Sequence, residues 1–595
     1  MVSVPFGEAL VKLTVLALDY DGTIARHDRL DPSVRAAIAS ARERGVTVLL
    51  VTGRILADLR RVVSDDLQFV DAVIAENGAI VHFPHSGQTN VLAPALPDAL
   101  LSGLQQQGVA FAAGQCLVDA HADEAPRILE VVRRLELPLV LVFNRSRVMT
   151  LAQGVSKATG LHAVLDMLRL SARNTVAVGD AENDHEMLRL AEVAVAVDWG
   201  SPSLKAAADL VIEGQGPPAV AAFVERLAAD QRLPAVARPR RRLSLGHTED
   251  GREFSLAVRG RNVLIAGDEK SGKSWIAGKL SEQLILLGYS LCVIDPAGDY
   301  RALEALPGVT VLGGDDPLPT PYELLRAVQY PDRSVVIDLS RTPRAEAIEY
   351  GEATLAALNQ LRRRTGLPHR IVIDHAHHFL IESAAHELLD LEVNGYTLVT
   401  YRSSALPMEV IAATEVMLVT CESDPAEIER LRTRCTGCER VTPEAWATVG
   451  RLAVGQAAAL PITDEAGGML RVFWTGRRLT PHVRRRVKYV DVPVQASRAF
   501  VFSADGQVRV ARSLRELVAA LEGHDALDPG GYVRRGDFSR WVADVFGDRG
   551  LASELRTLEQ DRAADPRERV TEIVAAIRSR YDLAADEPPL ARPSP

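Results

Sequence analysis

Apolar residues in the first third of the chain gather in short, nearly unbroken runs at 13–18, 46–51, 73–75 and 176–178, and each run stops at a cluster of Asp, Thr, Asn or Gly. Runs of this kind, bounded by turn residues, predict strands buried on both faces, the mark of a parallel sheet. Between the first two, 32–44 carries a helical pattern that Gly45 ends. The alternation of strand and helix makes the class α/β. From about 84 to 147 the pattern changes to helix at 95–107 and 123–135 and strand at 109–118 and 139–144. The first α/β pattern resumes at 148, so a Rossmann-like unit made of 1–83 and 148–228 is expected to carry a small α/β insert at 84–147.

A second series of apolar runs, at 262–266, 291–295, 334–338, 370–374 and 396–400, predicts another α/β unit over 250–490, after a linker at 229–249. The chain then gives a strand at 499–503, a helix at 513–521 and a helical segment at 535–546 with Trp541, Val545 and Phe546 on one face. That predicts a small α-rich module at 491–582, followed by a disordered, Pro-rich tail at 583–595.

Composition changes this picture little. A chain of 595 residues is expected to make several domains, and 47% hydrophobic with 25% charged residues is ordinary for folded protein. The formal charge of −10 gives no global attraction for nucleic acid or anionic lipid. No apolar stretch reaches the ~20 residues that span a bilayer, and the N-terminus lacks a basic segment leading into an apolar run, so the expected location is cytoplasmic, with no membrane partner. Five cysteines make no disulfide framework, and Cys435-x-x-Cys438 lacks the second pair of a zinc ribbon, so thiols are expected there.

The candidate chemistry starts at Asp19-Tyr20-Asp21-Gly22-Thr23, just past the run 13–18. Two acids at i and i+2 converge beyond the strand, and Gly22 lets the backbone turn sharply and approach an anion. Metal-assisted phosphoryl transfer needs such a pair: one carboxylate to attack phosphorus, a second to protonate the leaving alcohol, and hard oxygen ligands for Mg²⁺. The plain alternative is an acidic turn after a core strand. Three later loops favour the chemistry. Thr52, Gly53 and Arg54 follow the run 46–51, where a hydroxyl can hydrogen-bond a phosphoryl oxygen held over Asp19. Lys157 opens a helix, which sets an ammonium beside the positive helix end. Asp180 sits where a further carboxylate can bind Mg²⁺, and Asn183 and Asp184 where they can orient metal waters or Lys157.

With these four motifs, residues 12–228 resemble the haloacid dehalogenase (HAD) superfamily, in its Cof-like branch with a type IIB cap. The resemblance implies Asp19 as the nucleophile that becomes an aspartyl-phosphate, Asp21 as general acid/base, and Thr52 and Lys157 as phosphate clamps. It implies Mg²⁺ on Asp19, Asp180 and the main-chain carbonyl of Asp21, with Asp184 in support. Gly22, Thr23, Gly53, Arg54 and Asn183 would then border the phosphate and substrate. Sugar phosphates, phosphoglycolate and similar small phosphomonoesters all remain open.

In the second unit, the run 262–266 leads into Gly267-Asp-Glu-Lys-Ser-Gly272-Lys273-Ser274 and then a helical pattern. Main-chain N–H groups and Lys273 can cradle the β- and γ-phosphates there, while Ser274 reaches Mg²⁺. Asp374 ends the run 370–374, where a carboxylate can hold the Mg²⁺ hydration shell, and Thr400 can sense the γ-phosphate. Residues 250–490 resemble the HerA/FtsK-type P-loop ATPases. His375 stands where that family carries the Glu that polarises water, so ATP is expected to bind firmly and to be hydrolysed slowly or not at all.

His375, His377 and His378 also invite a metal reading, against a plain loop cluster. The Arg-rich stretches 238–242 and 477–488 can touch nucleic acid, against a solvated hinge and a solvated strand face. The chain therefore reads as a Mg²⁺-dependent phosphatase fused to an ATP-binding domain that regulates, oligomerises or positions it. The alternative is a HerA-like nucleic-acid translocase, ring-forming as a homo-oligomer, that carries an accessory phosphatase.

Overall fold

The computed structural model describes residues 12–63, 66–231, 241–257, 262–380, 388–391, 393–435, 438, 441–462, 469–481, 494, 498–504, 507–522, 529–546, 548–561 and 565–581. Among them, no helix is long and apolar enough to cross a membrane. The first unit is built on an eight-stranded sheet in the order Leu210–Ile212, Val193–Val197, Thr175–Gly179, Val15–Asp19, Thr47–Val51, Ala72–Ala75, Ile80–Phe83, Gln88–Val91. The strands from Leu210–Ile212 through Ala72–Ala75 run parallel, and the last two are antiparallel. Leu16 and Leu18 pack with the helices Pro32–Glu43 and Pro217–Asp230, while Val15 and Ala17 pack on the other face with Lys157–Leu168. Helices on both faces explain why these strands read as apolar runs rather than as alternation. The first helix begins where it does because Asp31 accepts a hydrogen bond from the Ser33 N–H at 2.9 Å and Pro32 presets the first turn.

The insert is a four-stranded antiparallel sheet in the order Leu139–Asn144, Arg147–Ala152, Leu117–His121, Phe111–Ala113. Its helices Asp98–Gln106 and Ala125–Arg134 bury Leu100, Leu104, Ile128 and Val131 against Val118, Ala120 and Val148. Its edges differ from the expected 84 and 147. Gln88–Val91 pairs with Ile80–Phe83 and belongs to the large sheet, whereas Arg147–Ala152 belongs to the insert. The single strand expected at 109–118 is two, parted by a turn at Gly114, where a Cβ would lie 2.4 Å from the Glu76 carboxylate.

An eleven-stranded sheet carries the second unit, and its order is Glu253–Leu256, Leu243–His247, Met469–Thr475, Gln456–Ile462, Val416–Val419, Val263–Ala266, Tyr396–Val399, Arg370–Ile373, Leu291–Asp295, Ser334–Asp338, Val309–Gly313. Val416–Val419 through Val309–Gly313 are parallel. Leu243–His247 lay inside the expected linker but is a strand of this sheet. Cys435 and Cys438, read as thiols, are joined as a disulfide. The C-terminal segments form a separate core in which Phe500, Phe538, Trp541, Leu555 and Ile573 meet.

The first two units dock through a buried ionic hub. The Glu192 carboxylate lies 3.5 Å from Arg173 and 3.4 Å from Arg241, and accepts from the Tyr289 hydroxyl at 3.0 and 3.1 Å. Arg241 also donates to the carbonyls of Arg189 and Ala191, each at 2.9 Å, at the end of the helix His185–Leu190. That corrects the reading of this part of 238–242 as a solvated hinge; residues 238–240 lie outside the described residues. Arg478 is likewise no solvated side chain, since it is buried against Glu282 at 3.0 Å, and 482–488 lie outside the described residues.

His369 sits in the same interface. Its Nδ1 accepts from the Ser290 N–H at 2.8 Å, and its Nε2 contacts Ser171 Oγ at 2.9 Å and Asn174 Oδ1 at 3.1 Å. Burial, with the charges of Arg173 and Arg362 adding to it, holds this imidazole down to about 3. An unfolded His titrates near ~6.5, so below that pH the unfolded chain takes up a proton that the folded one refuses. Stability is therefore full above pH ~6.5 and lost as pH falls toward the folded value, by about 2 kcal/mol at pH 5. His377, held at about 2, and His378, at about 4, slope the same way. Urea midpoints between pH 7.5 and 5 should fall less steeply in His369→Gln than in the wild type; equal slopes would remove His369 from the account.

Candidate active site

Asp19 ends the strand Val15–Asp19, Thr52 follows Thr47–Val51 and Asp180 follows Thr175–Gly179, and these three strands are neighbours in the sheet. Parallel pairing thus brings their carboxyl ends to one edge, at the point where the strand order reverses. Lys157 reaches the same point from the first position of its helix, which Ser156 and Thr159 cap reciprocally. Only 1% exposed, its ammonium donates to Asp19 Oδ1 at 2.5 Å and to Asp184 Oδ1 at 2.6 Å. Asp184 is fixed in turn by the N–H groups of Asp180 at 2.9 Å and Ala181 at 3.0 Å.

Gly22 has φ +80°, and a Cβ there would lie 2.3 Å from Asp180 Oδ2, so only glycine allows the turn after Asp21 to close over the acids. The Trp199 indole N–H holds that turn by donating to the Gly22 carbonyl at 2.6 Å. Thr52 Oγ1 accepts from the Arg54 N–H at 3.1 Å, and Asn183 donates to Asn77 Oδ1 at 3.3 Å. Asp21 is turned aside: 40% exposed, it is held by two Arg54 hydrogen bonds of 2.6 Å each. The site therefore assembles Asp19, Thr52, Lys157, Asp180, Asn183 and Asp184 around Gly22, and commits Arg54 to Asp21. Met149 stands over Gly53, where a Cβ would lie 2.9 Å from its sulfur.

Among the described residues, three buried oxygens in this site have no hydrogen-bond partner: Asp19 Oδ2, Thr23 Oγ1 and Asn183 Oδ1. Such groups are costly unless something external satisfies them. Burial first, then the charge of Asp184, pushes the Asp19 carboxyl well above the usual range, and the same two causes push Asp180 up to about 6. Burial alone would lower Lys157, but the Asp184 and Asp19 carboxylates outweigh it and raise it. A cluster this rich in negative charge calls for a cation. Among the described residues, Asp19, Asp180 and Asp184 are the group whose ligand atoms, within 4.8 Å of one another, fit a metal ion, and hard carboxylate oxygens suit Mg²⁺. The His375, His377 and His378 group does not figure there: the rings pack on one another and on Tyr401, and His377 Nδ1 meets Thr400 Oγ1 at 3.0 Å.

Arg145 was not singled out by the sequence. It lies at the turn between Leu139–Asn144 and Arg147–Ala152 of the insert, and its guanidinium pairs with Asp180. Nothing local marks such a residue, because its acid lies 35 positions away on another unit. Glu76 was also missed as more than a turn residue. Its carboxylate accepts from the N–H groups of Gln115 at 3.2 Å and Cys116 at 2.8 Å, tying the insert to the sheet.

The sequence profile of haloacid dehalogenase-like hydrolases matches residues 16–116 and 140–224. A phosphoglycolate phosphatase of Methanothermobacter thermautotrophicus is 28% identical over 224 residues, covering 36% of this chain and 98% of that protein. Another, from Halorubrum lacusprofundi, is 30% identical over 210 residues, covering 33% of this chain and 89% of that one. The crystal structure of a haloacid dehalogenase-like hydrolase from Bacteroides thetaiotaomicron aligns with TM-score 0.32 and 18% identity, over 36% of this chain and 100% of that one. Through its first 224 residues the chain belongs to the haloacid dehalogenase-like hydrolases. It is an enzyme that hydrolyses phosphoric monoesters.

The second unit has a cavity of about 600 Å³ where Val263–Ala266 turns into the helix Lys273–Leu286. Gly272, Lys273, Ser274, Asp374 and His375 line it, and Lys273 Nζ donates to the Asp268 carbonyl at 2.6 Å. Gly267 opens the turn against Thr420, and Thr400 stands behind the wall with its hydroxyl on His377 and the Arg402 N–H.

Proposed function

We propose that the first unit hydrolyses a small phosphomonoester bearing a second anionic group, by way of a phosphorylated Asp19. What supports this reading is the Asp19 carboxylate, held at Oδ1 by the Lys157 ammonium, which Asp184 holds in turn, while its Oδ2 has no hydrogen-bond partner among the described residues. In this reading Oδ2 attacks phosphorus, and Lys157 with the Thr52 hydroxyl holds the phosphoryl oxygens in line. Asp21 gives its proton to the leaving alcohol and then takes one from the water that opens the acyl phosphate. Arg54, which donates to both Asp21 oxygens and pairs with Asp28, holds the Asp21 carboxyl in place for this exchange. Mg²⁺ on Asp19, Asp180 and the Asp21 carbonyl, with Asp184 behind, would neutralise charge on the phosphoryl group.

The relatives named for phosphoglycolate favour a substrate with a carboxylate, and Arg145 supplies a cation for it. A charge-assisted hydrogen bond of ~1.5–3 kcal/mol makes Arg145→Ala lower kcat/KM on 2-phosphoglycolate by roughly 10- to 150-fold. On ethyl phosphate, which lacks the carboxylate, the loss should stay within about threefold. Phosphate release from both esters, from sugar phosphates and from nucleoside monophosphates, with Mg²⁺ and with EDTA, is the test. Equal losses on the two small esters would sink the carboxylate reading, and no turnover of any ester would sink the mechanism.

A second reading rests on the turn Gly267 to Ser274 and its cavity: the second unit binds a nucleoside triphosphate, with Lys273 on the β- and γ-phosphates and Ser274 and Asp374 toward Mg²⁺. His375 in place of a carboxylate favours slow hydrolysis and a regulatory or positioning role. The translocase alternative loses support from Arg478, whose charge is spent on Glu282.

A further inference from the structure

The C-terminal segments reach the cavity of the second unit by one short turn. Helices Asp537–Trp541 and Arg549–Gln560 pack in their own core, and between them Val542–Phe546 winds as a single wide π turn. Such turns are uncommon and recur at functional sites. Asp544, Val545 and Phe546 line the same cavity as Gly272, Lys273 and Ser274. The contact is specific. Lys270, inside the phosphate-loop turn, donates to the Val545 carbonyl at 2.8 Å and lies 4.8 Å from the centre of the Phe546 ring. Phe546 is braced from behind by Trp541, edge-on at 4.9 Å, whose indole N–H donates to the Arg498 carbonyl at 2.8 Å.

A cavity of about 600 Å³ is larger than a triphosphate needs and suits a whole nucleotide. Lys273, Ser274, Asp299 and Asp374 give it a charged region for phosphates and metal. Trp275, Val454, Val545 and Phe546 give it apolar and aromatic wall, with Gln456 and Thr475 as polar groups beside them. An aromatic face, flanked by apolar surface and a few hydrogen-bonding groups, is what a nucleobase takes. We infer that the turn Val542–Phe546 supplies the nucleobase wall of this cavity, with Phe546 as the ring against which the base of a nucleoside triphosphate packs. The inference rests on the nucleotide-binding reading of the second unit. It divides one ligand between two folding units: phosphates on the Gly267 to Ser274 turn, base against the C-terminal segments. Lys270 links the two, so a bound nucleotide bridges them.

The test is calorimetric titration of the full chain with ATP and, separately, with inorganic tripolyphosphate, both with Mg²⁺. Phe546→Leu keeps apolar packing against Trp541 and removes the ring, and Phe546→Tyr keeps the ring. Expected are ATP affinity about tenfold weaker in Phe546→Leu, near wild type in Phe546→Tyr, and tripolyphosphate affinity equal in all three. Lys273→Ala should lose both ligands. If Phe546→Leu binds ATP as tightly as the wild type, or loses tripolyphosphate as well, the base wall is elsewhere and the inference falls while the phosphate site stands. If the wild type binds neither ligand, the nucleotide reading and the inference fall together.

Discussion

Asp19→Asn is expected to lower phosphate release from any monoester substrate by on the order of 10⁴-fold or more, the scale on which single nucleophiles fail in enzymes that form covalent intermediates. The amide has nearly the shape of the carboxylate and can still sit beside Lys157, but it has no charge with which to attack phosphorus. Stability gives the control. Burial and the Asp184 charge already strain Asp19 as a carboxylate, so loss of its charge relieves repulsion as well as weakening the Lys157 pair. The variant should stay folded, with a melting temperature near that of the wild type. Substrate should bind it without turnover, which equilibrium titration measures. Residual activity within tenfold of the wild type would transfer the nucleophile's role to another group.

Lys157→Met should be the more damaging change overall. It leaves two buried carboxylates, Asp19 and Asp184, without the ammonium that both face at 2.5 and 2.6 Å. Removing one partner of a buried ionic cluster costs ~3–5 kcal/mol, because the charge left behind has neither water nor a counter-ion. Methionine fills the space, so the loss reports charge rather than a cavity. Activity should fall by at least about 10²-fold, the scale of a lost oxyanion-stabilising group. Chemical denaturation separates the two effects, and Mg²⁺ should recover part of the stability by supplying positive charge to the same acids. A stable Lys157→Met protein would mean that the acids are not held as an ionic cluster with Lys157.

Much of this site was legible because its parts sit at strand ends. Asp19, Thr52 and Asp180 each follow an apolar run, and parallel pairing then forces them together whatever the loops do. Lys157 was legible through its cap, since Ser156 starts the helix one residue earlier. The insert's edges were not. Gln88–Val91 is an edge strand with polar faces and carries no apolar run, and at the hairpin around Gly114 the chain packs on the Glu76 carboxylate, which accepts from the Gln115 and Cys116 N–H groups, 39 and 40 positions away in sequence. Arg145 was not singled out, and Arg241 and Arg478 were read by their neighbours in sequence, as parts of charge runs. Their roles come from Asp180, Glu192 and Glu282, acids brought near only by tertiary packing. The Gly-rich turn at Gly267 to Ser274 was plain in the sequence, but the approach of Phe546 to it depends on a docking that no local pattern encodes.

The Glu192 hub has a consequence for how the chain can be divided. The carboxylate belongs to the phosphatase unit, yet Arg241 and Tyr289, two of its partners, come from beyond that unit's end. Cutting the chain before residue 241 would leave on one fragment a carboxylate stripped of Arg241 and Tyr289, and on the other the Tyr289 and His369 face that had packed on it. The two halves are thus not severable modules on a string: each finishes the other's surface, and a fragment active by itself would still be a different molecule from the same residues in the whole chain.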